Sequence, residues 1–194
     1  MTEKEKMLRG MLYDADDSTL CADRVRAKEL CHAYNQLRPS DAAGMRELLQ
    51  RLLGETGETF CVTAPFWCDY GYNIRLGEHF YANHNLVILD CAAVTFGEHV
   101  FVAPNCGFYT AGHPIDAECR ERGLEYAYPI TVGDHVWSGG GVQVMPGVTI
   151  GSNVVIGGGS VVVKDIPSDS VAVGNPCRVI RPITEADKQT CWDR

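Results

Sequence analysis

TVGDHVWSGGGVQVMPGVTIGSNVVIG, residues 131–157, repeats every six positions: Val132-Gly133, Ser138-Gly139, Val144-Met145, Ile150-Gly151 and Ile156-Gly157. The register continues upstream in Leu76-Gly77, Ala82-Asn83 and Ile88-Leu89, and after a two-residue slip in Phe96-Gly97, Val102-Ala103 and Phe108-Tyr109. Regular glycine excludes a helix, and a period of six is too long for simple strand alternation. A solenoid satisfies both, each hexapeptide being a short strand plus a turn with one side chain stacked inward, and three such pieces closing a triangular coil.

The segment FYTAGHPIDAECRERGLEYAYPI, residues 108–130, interrupts this count. The repeat releases the chain at Thr110 and recovers it at Ile130, so a loop over 110–128 is expected. A loop excursion on a rigid coil is where a site is expected. Upstream, residues 1–57 read as helical: Met45, Leu48, Leu49, Leu52 and Leu53 make one apolar stripe behind a Ser40 N-cap. Leu30, Tyr34 and Leu37 make a weaker stripe, and a short helix is expected around Lys4 to Leu12. The expected organisation is a helical cap at 1–57, a solenoid at 58–183 and a tail at 184–194.

A chain of 194 residues can bury a real core, and its 45% hydrophobic and 22% charged content is that of a soluble protein. No apolar run is long enough for a membrane span, and the charged start MTEKEKMLRG lacks the apolar segment of a secretory signal. Nine cysteines without a CxxC pair are therefore expected to be reduced thiols in a cytoplasmic protein. A net charge of −8 without a basic stripe argues against nucleic acid as a partner.

His79, His99 and His135 share a turn slot with Asn153, and both residue types tolerate the left-handed backbone of such corners. His32 reads as surface and His84 as non-catalytic. His113 alone lies off the repeat, between Gly112 and Pro114. From residue types alone it is either a base for proton transfer or a structural loop histidine. Lys164, Arg178 and Arg181 are a solvated charge set or a grip for phosphates, and Trp137, Tyr126 and Tyr128 read more readily as packing than as a cover for a ligand.

CDYGYNI (68–74), FYANHN (80–85), TAGHPID (110–116), MPGVTIG (145–151) and VVKDIPSDSVAVGNPCRVIR (162–181), with TEKEKMLRGMLY at the start, resemble the maltose/galactoside O-acetyltransferase family of hexapeptide-repeat acyltransferases. The resemblance covers nearly the whole chain and implies a mainly β fold, a left-handed parallel β-helix. It implies transfer of acetyl from acetyl-CoA to a sugar hydroxyl, without a metal, in a homotrimer with sites between subunits. His113 would then be the catalytic base. The Gly140 and Gly158 backbones would serve the oxyanion and the acetyl-CoA. Trp137, Val163, Lys164, Arg178 and Arg181 would hold the coenzyme, and Arg24, Asp69, Tyr81, Asn83, Cys91 and Glu125 the acceptor. The loop would place His113 at a fixed root, with a variable lid from about Asp116 to Tyr126.

Five positions depart from the family pattern. Ser138 replaces an inward Ile, and Val163 a Thr. Cys91 and Ala15 stand where the galactoside branch has Asp, which favours a maltose- or glucose-like acceptor; Glu125 stands where that branch has Met. Three rival readings remain: a thiol nucleophile at Cys106 or Cys119, a zinc-dependent carbonic anhydrase using His79 and His84, and a scaffold without turnover.

Overall fold

The computed structural model describes residues 1–189. Three helices precede the coil: α1 (Glu3–Leu8), α2 (Ser18–Gln36) and α3 (Ala42–Leu52). Thr2 and Glu5 form a reciprocal capping box at α1, and Asp17 and Asp41 cap the next two. Two expectations are corrected here. The side chain that reaches the third helix's amides, at Gly44 N, is that of Asp41 and not Ser40. The first helix ends before Gly10, whose φ of +67° breaks it, and does not run to Leu12.

From Glu55 onward the chain winds into a three-faced parallel coil. The first face stacks Phe60–Val62, Phe80–Ala82, Phe101–Val102, Trp137–Ser138, Val154–Ile156 and Ser170–Val173, closed by antiparallel Arg178–Pro182. The second stacks Phe66–Cys68, Leu86–Leu89, Gly107–Tyr109, Gln143–Val144 and Val161–Val162. The third stacks Glu55–Thr56, Ile74–Leu76, Val94–Phe96, Ile130–Val132 and Thr149–Ile150.

The hexapeptide register sets the core. Leu76, Ala82, Ile88, Phe96, Val102, Phe108, Val132, Ser138, Val144, Ile150 and Ile156 are all buried. Phe96 packs between Phe80 and Phe108, each ring centroid 4.9 Å from its own. Each Val, Leu, Ile or Phe among them contributes about 1.5–3 kcal/mol by leaving water. At the corners between third and first faces, His79, His99, His135 and Asn153 carry φ of 56°, 54°, 56° and 54°, the left-handed turns expected of them.

A second, smaller core joins what the repeat does not. Met7, Tyr13, Leu20, Tyr70, Cys91, Ala92 and Ala127 are buried together, from the cap, two coil corners and the loop. Above it the strand Tyr13–Asp14 pairs antiparallel with Leu124–Ala127, which pairs with Ala111–Gly112. The loop's return limb is thus a strand in a three-stranded sheet, and its only helix is the short α4 (Ala117–Glu121). This corrects the extent of the expected lid, because residues from Leu124 onward belong to the fixed part. Gly112 is required there: a Cβ would fall 2.5 Å from the Tyr126 ring.

Candidate functional site

His113 follows the loop strand Ala111–Gly112 at the corner where the second face hands over to the third. Its root is fixed by Thr110, whose Oγ1 accepts from Ala92 N at 2.9 Å and donates to Leu89 O at 2.6 Å. The imidazole is 56% exposed, and its Nε2 lies 3.8 Å from Glu125 Oε1. The other oxygen of that carboxylate, Oε2, accepts from the Tyr13 hydroxyl at 2.6 Å.

Asp69, Cys91 and Arg24 gather at the same corner. The Cys91 thiol donates to Asp69 Oδ2 at 3.6 Å, and burial pushes the Asp69 carboxyl above its ordinary range. Burial also pushes the Cys91 thiol up, so it stands as a neutral donor. Arg24 donates to the Tyr70 hydroxyl at 2.9 Å and to Ala15 O at 2.7 Å.

Asp90 supports this group, although nothing in the sequence singled it out. Fully buried, it accepts from Asp69 N, Tyr70 N and Asn73 N at 3.1, 2.9 and 3.3 Å. Burial raises its pKa to about 6. The signal available was its place between Leu89 and Cys91, one coil above Asp69.

The remaining predicted residues stand elsewhere on the prism. Tyr81 and Trp137 point outward from the first face, 36% and 54% exposed, with Phe101 between them in register. The exposure of Trp137 corrects its reading as packing at the loop base, where Tyr126 and Tyr128 instead face each other at 5.0 Å. Asn83, Gly140 and Gly158 follow at the corner between first and second faces, the two glycines stacked in adjacent coils through Gly159 N to Gly140 O at 2.8 Å. Among the described residues the amides of Gly140 and Gly158 donate no hydrogen bond, and both glycines are exposed.

Val163 and Lys164 are exposed at the same kind of corner as His113, two coils further on. Arg178 and Arg181 lie on the closing strand of the first face. Arg181 is held by Asp187 of α5 (Glu185–Gln189); of the tail expected at 184–194, residues 190–194 lie outside the described residues, as does Cys191. No hydrogen bond or ion pair among the described residues joins the set around His113 to the set on the first face.

The rival chemistries find little support in this geometry. Cys106 is buried and its thiol raised by burial, while Cys119 is raised by its hydrogen bond with Asp116; neither is poised as a thiolate. His79 stacks on His99 at 4.5 Å and stands at a different corner from His84. Among the described residues no three His, Cys, Asp or Glu side chains converge as a metal ligand set, and no helix is long and apolar enough to cross a membrane. A groove of about 350 Å³ between the cap and the first coil, walled by Leu37, Met45, Leu49, Phe60 and Val62, contains none of the predicted site residues.

Residues 6–57 match the maltose acetyltransferase hexapeptide capping motif, and residues 129–164 the bacterial transferase hexapeptide motif. A provisionally named acetyltransferase of Saccharomyces cerevisiae is 55% identical over 187 residues, 96% of this chain and 95% of its own length. Among solved structures, a maltose O-acetyltransferase from Clostridium difficile 630 is 50% identical with a TM-score of 0.94, covering 95% of this chain and 99% of the other. A galactoside acetyltransferase in complex with coenzyme A is 43% identical with a TM-score of 0.94, covering 97% of this chain and 94% of the other.

Proposed function

The chain belongs to the maltose/galactoside O-acetyltransferase family, the left-handed β-helix acetyltransferases, and from that premise we propose that it moves acetyl from acetyl-CoA to a sugar hydroxyl with His113 as base. The acceptor class is a maltose- or glucose-like sugar. The observation that carries this reading is an imidazole on a fixed root, half exposed, at a corner lined by hydrogen-bonding side chains suited to hydroxyls.

His113 takes the acceptor's hydroxyl proton as the oxygen bonds to the thioester carbonyl carbon. The carbon–sulfur bond then breaks, and the proton held on His113 passes to the departing sulfur. No acyl-enzyme forms. The residues present fit the coenzyme: the open Gly140 and Gly158 amides can receive the carbonyl oxygen and the arm, exposed Trp137 and Val163 flank it, and Lys164, Arg178 and Arg181 supply cations for its phosphates. Arg24, Asp69, Tyr81, Asn83, Cys91 and Glu125 serve the acceptor.

These groups stand at separate corners of one chain. A homotrimer, in which the first face of one copy meets the His113 corner of the next, brings them together. The outward row Cys61, Tyr81, Phe101, Trp137, Val155 and Val171 supports it, being apolar or aromatic where the third face shows Arg75, Thr95, Thr131 and Thr149.

The test is thiol release from acetyl-CoA across a panel of mono- and disaccharides, run beside His113→Ala. Turnover on at least one sugar, lost by about a hundredfold or more in the variant, is expected. Turnover that survives in His113→Ala sinks the base assignment, and no turnover with no coenzyme binding favours the scaffold.

A further inference from the structure

Tyr13 stands out among the residues the proposed mechanism leaves unused. It is 1% exposed, it lies 112 positions from Glu125 in sequence, and it is that residue's direct cross-strand partner. We propose that Tyr13 is a positioning residue for the acetyl transfer, holding the Glu125 carboxylate so that it steadies His113. This rests on the reading of His113 as the base, and it changes the role of Glu125 from acceptor contact to partner of the imidazole.

The geometry runs in one line. A buried tyrosine hydroxyl requires a hydrogen-bond partner, and here Glu125 Oε2 accepts it at 2.6 Å. With that oxygen fixed, Oε1 is the one left facing Nε2 of His113, at 3.8 Å. The backbone pairing Tyr13↔Glu125 places two of the residues in one small sheet, and the pairing Gly112↔Tyr126 places the third, His113, directly after its edge strand. Tyr13 is itself seated in the second core with Met7, Leu20 and Tyr70, so the cap supplies the rigid end of the chain of contacts.

Between accepting the hydroxyl proton and delivering it to sulfur, His113 is an imidazolium. A carboxylate already in place offsets that charge without having to reorganise, and contacts that are long in the free enzyme tighten once the site is filled. Tyr13 transfers no proton.

The test is a double-mutant cycle on the full chain with Tyr13→Phe, Glu125→Gln and the pair. Glu125→Gln is expected to lower kcat about tenfold to a hundredfold, with both KM values within about twofold. Tyr13→Phe is expected to lower kcat about fivefold alone and not at all in the Glu125→Gln background, because its effect passes through that carboxylate. A raised acceptor KM at unchanged kcat in Glu125→Gln makes Glu125 an acceptor ligand and overturns the proposal. Losses that multiply in the double variant overturn it too.

The ring resonances of His113, assigned with His113→Ala, give a readout free of turnover. Both single variants should move them, and Tyr13→Phe should move nothing further once Glu125 is Gln. Unmoved resonances in Glu125→Gln refute the contact, even where Tyr13→Phe folds poorly. If His113→Ala keeps full turnover, the base reading itself has failed. An inactive His113→Ala beside a fully active Glu125→Gln defeats only the present inference.

Discussion

Arg181 and Asp187 face each other in a two-point ion pair, Nη1 2.9 Å from Oδ2 and Nη2 2.8 Å from Oδ1. A residue expected to meet a coenzyme phosphate therefore already meets a carboxylate of its own chain. The pairing holds the Asp187 carboxyl down to about pKa 2, so the carboxylate is charged at any working pH. An incoming phosphate must displace it or approach beside it. Asp187→Asn is expected to lower KM for acetyl-CoA about twofold to fivefold at unchanged kcat, the scale of an exposed pair, and less at high salt. A higher KM in the variant would instead make Asp187 the group that orients Arg181.

Asp90 gives a pH dependence of unusual sign. Its folded pKa of about 6 lies above the ordinary carboxylate value, so from about pH 4 to 6 the native state holds a proton that the unfolded chain has lost. The stabilisation it contributes is complete below about pH 4 and is lost as pH rises through about 6, a swing of about 2–3 kcal/mol. Asp90→Asn lacks this titration while keeping one acceptor for the Asp69–Asn73 corner. Urea unfolding at pH 4 and pH 7 should show the variant gaining on the natural chain by about that amount at pH 7. An equal gap at both pH values would contradict it.

The coil was legible in the sequence because its physics is periodic. An inward side chain at the same slot of every coil face forces a recurrence, and Leu76 through Ile156 kept it even where Ser138 broke the apolar rule. The left-handed corners were legible for the same reason, His79, His99 and His135 recurring at one slot. The second core had no such signature. Tyr13 and Glu125 meet by antiparallel pairing across a gap that contains most of the fold, and local sequence carries no trace of it. His113 could thus be singled out by its place off the repeat, while the groups that fix its surroundings, Tyr13 and Asp90, could not. The cap at Asp41 was missed for a smaller reason, since Ser40 and Asp41 are both good caps one residue apart.

The histidine corners permit a sharper test of backbone strain. His99 has φ 54° and stacks between His79 and His135, with ring centroids 4.5 and 5.1 Å away. Asn accepts that backbone readily, and a β-branched residue does not. His99→Asn should change the unfolding free energy by less than about 0.5 kcal/mol, and His99→Val should cost about 1–2 kcal/mol. Equal melting points for the two variants would mean that the ring stack, and not the backbone, sets the residue choice.

Phe108 and Phe101 separate folding from assembly. Phe108 is fully buried in the last inward slot before the loop, and Phe108→Ala should cost about 3–5 kcal/mol at every protein concentration. Phe101, 49% exposed between Tyr81 and Trp137, has few neighbours to lose within one chain. If the first face meets a second copy, its aromatic row is buried there and Phe101→Glu places a charge in that contact. Light scattering across a dilution series should then show the natural chain as a trimer and Phe101→Glu dissociating, with circular dichroism of the two alike. Apparent stability of the natural chain should also rise with concentration, as mass action requires of an assembly. A natural chain that stays monomeric throughout would leave the two halves of the proposed site apart, and the intersubunit arrangement would have to be abandoned.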